Sequence, residues 1–273
     1  MSTNRNPHAQ QMADESMIRT LAAQARAIWP QEELLFARYG LAGECRIADI
    51  GCGSGEITSR LAIAYEQATV IGVDILSSSI AYATHRYVDL APRLQFEQGD
   101  AFELHFATQQ FDLVVCRHVT QSIPEPEKVL RELLRVCKAG GWLHVLSEDY
   151  GMLQMIAREL EPDRLWQEGA IAYARNTGAD ARIGRRTWSL LHDLGVTDLR
   201  VDYVTVDTLR VPRETFATML EAWRDGYVDA IGAKTALPAN EARALFEYVI
   251  ASIRNPRDYA VWQVPIVSGR KPR

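Results

Sequence analysis

The residues best suited to chemistry in this chain fall in short groups along its first half. In Asp49-Ile50-Gly51-Cys52-Gly53-Ser54-Gly55-Glu56 the apolar run Ile47-Ala48-Asp49-Ile50 enters a glycine-rich turn. Glycine takes up positive φ at little cost and lets a ligand approach the main chain, and a helix starting after such a turn offers unpaired N–H groups to an anion. Asp74 closes the next apolar run, Val70-Ile71-Gly72-Val73, where a carboxylate can accept both hydroxyls of a ribose. In Gln98-Gly99-Asp100-Ala101 an acid can accept from an adenine amino group while the next N–H reaches a ring nitrogen. Arg117-His118 follows the apolar run Phe111–Cys116. The glycine turn and the acids after it describe a site for a nucleoside-containing cofactor.

Spacing narrows the choice of nucleoside. Gly51-x-Gly53-x-Gly55 lacks the two-residue gap of the GxGxxG dinucleotide fingerprint, and no YxxxK pair is recognisable, which disfavours an NAD(P)-dependent oxidoreductase. These segments, with Lys138-Ala139-Gly140-Gly141 after a helix, resemble the ordered motifs of class I S-adenosylmethionine-dependent methyltransferases, above all the small-molecule (type 11/25-like) group, over about residues 45–150. The resemblance implies that Asp49, Gly51 and Gly53 hold the methionine end of S-adenosylmethionine. It puts Asp74 on the ribose, Ile75 against the adenine, Asp100 and Ala101 on the adenine edge, and Arg117 near the aminoacyl group and sulfonium. Purely local readings stand beside this one. The glycines can serve the turn alone, and Asp49 can hydrogen-bond loop amides without touching a ligand. Nothing in the sequence shows the broken cofactor site that would favour a non-catalytic S-adenosylmethionine-binding regulator.

The acceptor side is less specified. Methyl transfer from a sulfonium is an in-line displacement, so alignment and exclusion of water supply much of the acceleration and a base is optional. His118 is the best-placed base, because it follows the fourth strand at the carboxyl edge of the sheet. Its alternative is a hydrogen bond to the loop Thr120-Gln121-Ser122. Glu148, Asp149 and Tyr150 end the fifth strand on the same edge; Tyr150 is the second catalytic candidate, and capping of the next helix is the alternative for the group. His8, His85, His105, His144 and His192 show no HxxxH or HxH pairing, so no metal is expected and each reads as a surface or packing residue.

The elements that must position these groups alternate. A helical pattern of Met17, Ile18, Leu21, Ala22, Ala25, Ile28 and Trp29 runs up to Pro30. Short β-rich runs then alternate with helices as far as Glu148, which calls for an α/β, Rossmann-like, doubly wound and mostly parallel seven-stranded sheet with added helical cap segments. The expected organisation is a flexible N-terminus (1–12), a helical segment (13–44), the cofactor-binding core (45–150), a helical cap (151–195), and a last part (196–273) with a helical insertion at about 212–255. Residues within Met17–Trp29, Met152–Trp188 and Phe216–Ile231 are expected to roof the carboxyl edge and line a pocket for a secondary-metabolite or cofactor-like acceptor. The aromatic and apolar residues Trp166, Tyr173, Trp188, Phe216, Met219, Trp223 and Tyr227 lie there, although packing between helices claims most of such residues.

Composition bounds the rest. Thirty Lys and Arg against 35 Asp and Glu give a net charge of -5, with no global positive field to recruit nucleic acid. The patch Arg182-Ile183-Gly184-Arg185-Arg186 is short enough to be a solvated or capping cluster. No membrane span or leader is recognisable, and Cys45, Cys52, Cys116 and Cys137 lie far apart without ligand spacing. A cytoplasmic monomer or homodimer with reduced thiols is expected. S-adenosylmethionine and S-adenosylhomocysteine should each raise the thermal midpoint while NAD does not; at a hundred times the dissociation constant the stabilisation is about 2.7 kcal/mol. Calorimetry that finds NAD bound and neither adenosyl ligand bound overturns the cofactor reading.

Overall fold

The computed structural model describes residues 7–8 and 15–273, and the side chains of Glu15 and Met17 are not part of that description. Apart from Pro7 and His8, the N-terminal stretch expected to be flexible lies outside the described residues. Strands β1 (Arg46–Ile50), β2 (Thr69–Asp74), β3 (Leu94–Gln98), β4 (Phe111–Arg117) and β5 (Cys137–Leu146) run parallel in the order β3-β2-β1-β4-β5. β8 (Ala260–Arg270) lies antiparallel to β5 through Ile266–Arg270, and β7 (Thr197–Asp207) pairs with nearly all of β8. β6 (Leu153–Met155) pairs with Ala260–Trp262. Because β7 occupies one edge of β8, β5 and β6 share the other. The sheet is therefore the expected doubly wound one, with a three-residue strand as its eighth member.

The central strands are apolar on both sides because both faces are covered. Ile50, Val73, Val114 and Val145 pack with α4 (Pro126–Val136) and with Leu191 of α6 (Gly184–Asp193). Ile47, Val70, Leu113 and Val115 pack on the other face with Ile57 and Leu61 of α2 (Glu56–Ala64) and with Trp29 and Phe36 of α1 (Glu15–Phe36). Successive strand residues point to opposite faces, so each strand feeds both cores. α3 (Ser77–Arg86) follows β2 without a side-chain cap from its serines. All four cysteines are buried and free. Among the described residues no helix is long and apolar enough to cross a membrane.

A third core joins the outer part of the sheet to the added helices. Trp262 and Val264 of β8 meet Trp166, Phe216 and Trp223, with Leu245 and Phe246 beside them. These residues come from a π-helical stretch (Leu165–Ile171) that continues into α5 (Ala172–Asn176), from α7 (Arg213–Lys234) and from α8 (Ala239–Arg254). Both α7 and α8 lie between β7 and β8 in the chain.

The elements depart from the sequence reading in several places. α1 does not stop at Pro30 but carries it inside and runs on to Phe36. An internal proline forfeits one helical hydrogen bond; here Leu35 and Phe36 are buried beyond it. Gln31 also binds the main chain of Thr205 at both ends, its amide donating to the carbonyl at 2.9 Å and accepting from the N–H at 3.1 Å. Lys138–Gly141 belongs to β5, with a register shift against β4 and Gly140 at φ 74°, and does not form a separate turn. Trp188 is exposed and stacks on His192 of the same helix, α6.

The extension of α1 places Glu32, fully buried, beneath the end of the sheet. Its Oε1 accepts from Arg117 Nε at 2.7 Å and from His144 Nε2 at 3.0 Å, and His144 Nδ1 lies 2.6 Å from the Tyr39 hydroxyl. Trp142 donates its indole N–H to the Tyr39 carbonyl at 3.1 Å. Burial would raise the Glu32 carboxyl, but Arg117 and His144 together hold it at about 2, below the ordinary 4.5. The fold thus favours the ionised form. Its contribution is complete above the unfolded-state value and disappears as pH falls from about 4.5 towards 2. Glu32→Gln should cost about 3 kcal/mol at neutral pH by leaving Arg117 buried without its counter-charge, and the gap to the parent should narrow as pH falls through that window. Denaturant unfolding at several pH values measures it; a pH-independent gap contradicts the assignment.

Candidate active site

The glycine turn between β1 and α2 is fixed by its own backbone. Gly51 and Cys52 both donate to the Val73 carbonyl, at 2.7 and 3.0 Å, tying the turn to the end of β2. Gly51 stands at φ 79°, and a Cβ there would lie 2.2 Å from Val119 Cγ2; one at Gly53, φ 52°, would lie 2.5 Å from Leu21 of α1. Two neighbouring elements therefore close on this turn only because it carries no side chains at those positions.

The acids around the turn are partly occupied. Asp74 accepts from the Gly53 N–H at 2.8 Å with Oδ2 and from the Leu76 N–H at 3.0 Å with Oδ1. Burial raises its carboxyl and those N–H groups oppose the shift. Among the described residues Asp49 binds no loop amide; it accepts from the Thr58 hydroxyl of α2 at 2.7 Å. Burial pushes its carboxyl to about 6, with Thr58 and Arg117 acting the other way. Asp100 accepts from the Phe102 N–H at 2.9 Å, which shapes the turn after β3.

These residues line connected hollows along the carboxyl edge of the sheet. One of about 490 Å³ lies between Ile50, Val73, Ile75, Phe102 and Val119, with Gly51, Asp74, Asp100 and Ala101 on its rim. A central cleft of about 670 Å³ shares Gly51, Asp74 and Val119 with it and adds Leu21 and Gln24 of α1, Arg117, His118 and Glu148. Asp49, Ser54, Arg117 and His118 border a smaller recess of about 340 Å³ against the start of α2. All the cofactor residues expected from sequence thus meet along one groove. Arg117 reaches it with a side chain held by Glu32, and its Nη2 and the Ser54 hydroxyl are buried without partners among the described residues.

His118 sits where the groove turns. It adopts φ 55°, a left-handed conformation costly for a residue with a Cβ and typical of functional turns. Its N–H donates to the Leu146 carbonyl at 3.0 Å. Its ring does not bond the 120–122 loop: Nδ1 lies 2.6 Å from Glu148 Oε1, which Gln24 also reaches at 3.3 Å. His118 Nε2 and Glu148 Oε2 have no partner among the described residues. Asp149 is committed to structure, accepting from the Gly151 N–H at 2.9 Å and pairing with Arg185 at 2.6 Å. For Tyr150, burial first and the Glu148 carboxylate second hold the phenol well above its ordinary value, which keeps it protonated at neutral pH.

Beyond Tyr150 the cleft opens into an aromatic cavity of about 490 Å³. Trp166 and Tyr173 line it from the cap, Trp223 and Tyr227 from α7, and Phe246 from α8. Phe216 and Met219, from the same segments, are core residues. His8 was expected on the surface or in packing, yet it lines this cavity, 3.1 Å from the Thr177 hydroxyl, and burial lowers it to about 4. Sequence carried no signal for it, nor for the pairing of Gln24 with Glu148 across the fold. Among the described residues no group of three or more His, Cys, Asp or Glu side chains could hold a metal ion.

Known proteins share this fold. The sequence model of the methyltransferase domain matches residues 41–189, more than half of the 273-residue chain, and the chain belongs to that family. It is an S-adenosylmethionine-dependent methyltransferase, which decides against NAD(P) chemistry. An uncharacterized protein of Mycobacterium bovis is 28% identical over 194 residues, spanning 62% of this chain and 69% of its own length. The trans-aconitate 2-methyltransferase of Deinococcus radiodurans is 37% identical over 100 residues, 37% of this chain and 36% of its own. The [4+2]-cyclase SpnF has the same fold, with a TM-score of 0.56 at 23% identity over 88% of this chain and 80% of its own.

Gly51→Ala should destabilise the enzyme by at least about 1–2 kcal/mol, the cost of a side chain in a left-handed conformation before the contact with Val119 is counted. Urea unfolding of the variant checks this; a stability equal to the parent's would mean that the turn has room the structure does not show.

Proposed function

We propose that the enzyme methylates a small organic molecule seated in the aromatic cavity, with His118 as the general base and S-adenosylmethionine in the groove from Ser54 to Asp100. S-adenosylmethionine, when bound, supplies a methyl group on a sulfonium and leaves as S-adenosylhomocysteine. The residues fit that ligand. Gly51, Gly53 and Arg117 line the central cleft, which suits the methionine part, and the unpaired Arg117 Nη2 suits its carboxylate. Asp74, pinned by two N–H groups, keeps lone pairs for ribose hydroxyls. Ile75, Asp100 and Ala101 border a mostly apolar hollow suited to adenine.

The observation that carries the catalytic reading is the His118–Glu148 pair. With Nδ1 bonded to Glu148 at 2.6 Å, the carboxylate fixes the tautomer that leaves the Nε2 lone pair free. His118 borders the central cleft, which shares Gln121, Tyr150, Trp223 and Tyr227 with the aromatic cavity. His118 Nε2 then takes the proton of an acceptor O–H or N–H, and Tyr150 orients the acceptor as a donor. Thr20, Leu21 and Gln24 of α1 cover the same cleft and exclude water from it.

Asp74→Ala should weaken S-adenosylhomocysteine binding by about 1.5–3 kcal/mol through lost charge-assisted hydrogen bonds. A folded variant that binds as tightly as the parent places the ribose contact elsewhere. His118→Ala should lower kcat by about 10²–10⁴-fold while leaving S-adenosylhomocysteine affinity within a few-fold. Equal turnover in the variant removes His118 from the chemistry.

A further inference from the structure

The charged side chains that border the central cleft do not balance. They are Asp74, Arg117 and Glu148. Arg117 is spent on Glu32, which accepts from its Nε at 2.7 Å with both side chains buried. That pair is neutral as a whole, so the guanidinium does not make the cleft positive. Among the described residues neither acid of the cleft pairs with a Lys or Arg: Asp74 is held by two main-chain N–H groups, and Glu148 Oε1 meets Gln24 and His118 Nδ1. Glu148 is 2% exposed, and its Oε2 has no partner among the described residues. His118 brings no charge in the tautomer that serves as a base. A buried carboxylate without a counter-ion acts at long range, because little water stands between it and other groups to screen it. Burial first and the Glu148 charge second raise both the Tyr150 and the Tyr227 phenols. Its field thus reaches α7, a second element that borders the same cleft.

The two forms of the cofactor differ by one charge. S-adenosylmethionine carries a sulfonium beside its zwitterionic amino-acid end and is positive by one unit, whereas S-adenosylhomocysteine has a thioether there and is neutral. We propose that Glu148 is a specificity-determining residue for the methyl donor: its uncompensated carboxylate gives the cleft a negative potential that favours the sulfonium of S-adenosylmethionine over the thioether of S-adenosylhomocysteine. The proposal rests on the reading that seats the methionine part of the cofactor in this cleft, and it adds how the donor is told from the spent product. It requires no contact between Glu148 and the sulfur, because charge alone separates the two ligands. A buried negative charge costs free energy until a cation arrives, and the donor brings one where the product does not. Glu32 belongs to the same device, since without it the Arg117 guanidinium would oppose the sulfonium.

Titration calorimetry of the full chain, with no acceptor present, tests it with three ligands: S-adenosylmethionine, S-adenosylhomocysteine, and sinefungin, which carries an ammonium in place of the sulfonium. Glu148→Gln keeps the shape of the side chain and an acceptor for His118 Nδ1 but removes the charge. It should weaken S-adenosylmethionine and sinefungin by about ten-fold relative to S-adenosylhomocysteine, the effect of one unit charge acting through several ångströms of protein. Glu148→Asp, which keeps the charge, should stay close to the parent's ratio. Ser122→Asp adds a carboxylate to a partly exposed wall of the cleft and should move the ratio a few-fold the other way. An equal loss for all three ligands in Glu148→Gln, a ratio that does not move, a shift of the same size in Glu148→Asp, or sinefungin that follows S-adenosylhomocysteine overturns the proposal. If Glu148→Gln does not fold, Ser122→Asp decides: the proposal stands on a shift towards the charged ligands and falls on an unchanged ratio. A parent that binds none of the three refutes the cofactor groove itself, which is a different result from a parent that binds them and variants whose ratios do not respond to charge.

Discussion

The buried carboxylate of Glu32 ties together parts of the molecule that share no strand or turn. It belongs to α1, yet its partners stand at the end of β4 and within β5. A charge removed from water in this way is stable only with its opposite and its hydrogen bonds in place, and losing one partner leaves the other buried and uncompensated. The register of α1 over the sheet is fixed accordingly: a helix shifted by one turn would carry Glu32 away from Arg117. With that register set, Leu21 reaches Gly53, Gln24 reaches Glu148 and Gln31 reaches Thr205. Arg117 is held by the same contact, and its Nη2 is buried without a partner among the described residues.

From this anchor the molecule divides its work between two bodies of residues. The parallel strands and their turns present Gly51, Asp74, Asp100 and Arg117, each at or just past the carboxyl end of a strand, as open α/β sheets do. The added helices present rings and almost no charge. His118 and Glu148 stand between the two, at the ends of β4 and β5, and they are the point at which a group brought by one body can meet a group brought by the other. The left-handed backbone at His118 is tolerable because hydrogen bonds from its N–H and its ring both reach β5 or the residues just after it.

The fold, and the grouping of Asp49, Gly51, Asp74, Asp100 and Arg117 along one groove, are largely legible in the sequence because their signals are local. An apolar run, a glycine turn and a following helix are neighbours in the chain, and Asp74 and Asp100 mark the ends of their own strands. What stayed hidden depends on contacts between distant segments. Pro30 is a sound stop signal by local rules, and only burial of Leu35 and Phe36 with the Gln31 bonds to β7 overrides it, so Glu32 was not read as a buried partner. His118 was singled out by its place after β4, but its carboxylate partner lies across the sheet. Trp188 and Trp166 look alike as aromatic residues in one helical region; the first faces solvent and the second is buried, and periodicity in so irregular a segment does not separate them. β6 is too short to carry an alternation at all.

The position of β8 has a bearing on how the chain comes to be folded. β1 to β5 are complete in the chain by Leu146, more than a hundred residues before β8 begins. β8 must then slot between β5 and β7 after α7 and α8 have been made, bringing Trp262 beneath the aromatic cavity. Until it does, the outer edge of β5 presents unpaired backbone groups, an invitation to pair with another nascent chain. The strands that border the groove are thus synthesised before the helices that border the aromatic cavity, and the edge of β5 waits through that interval for the strand that covers it.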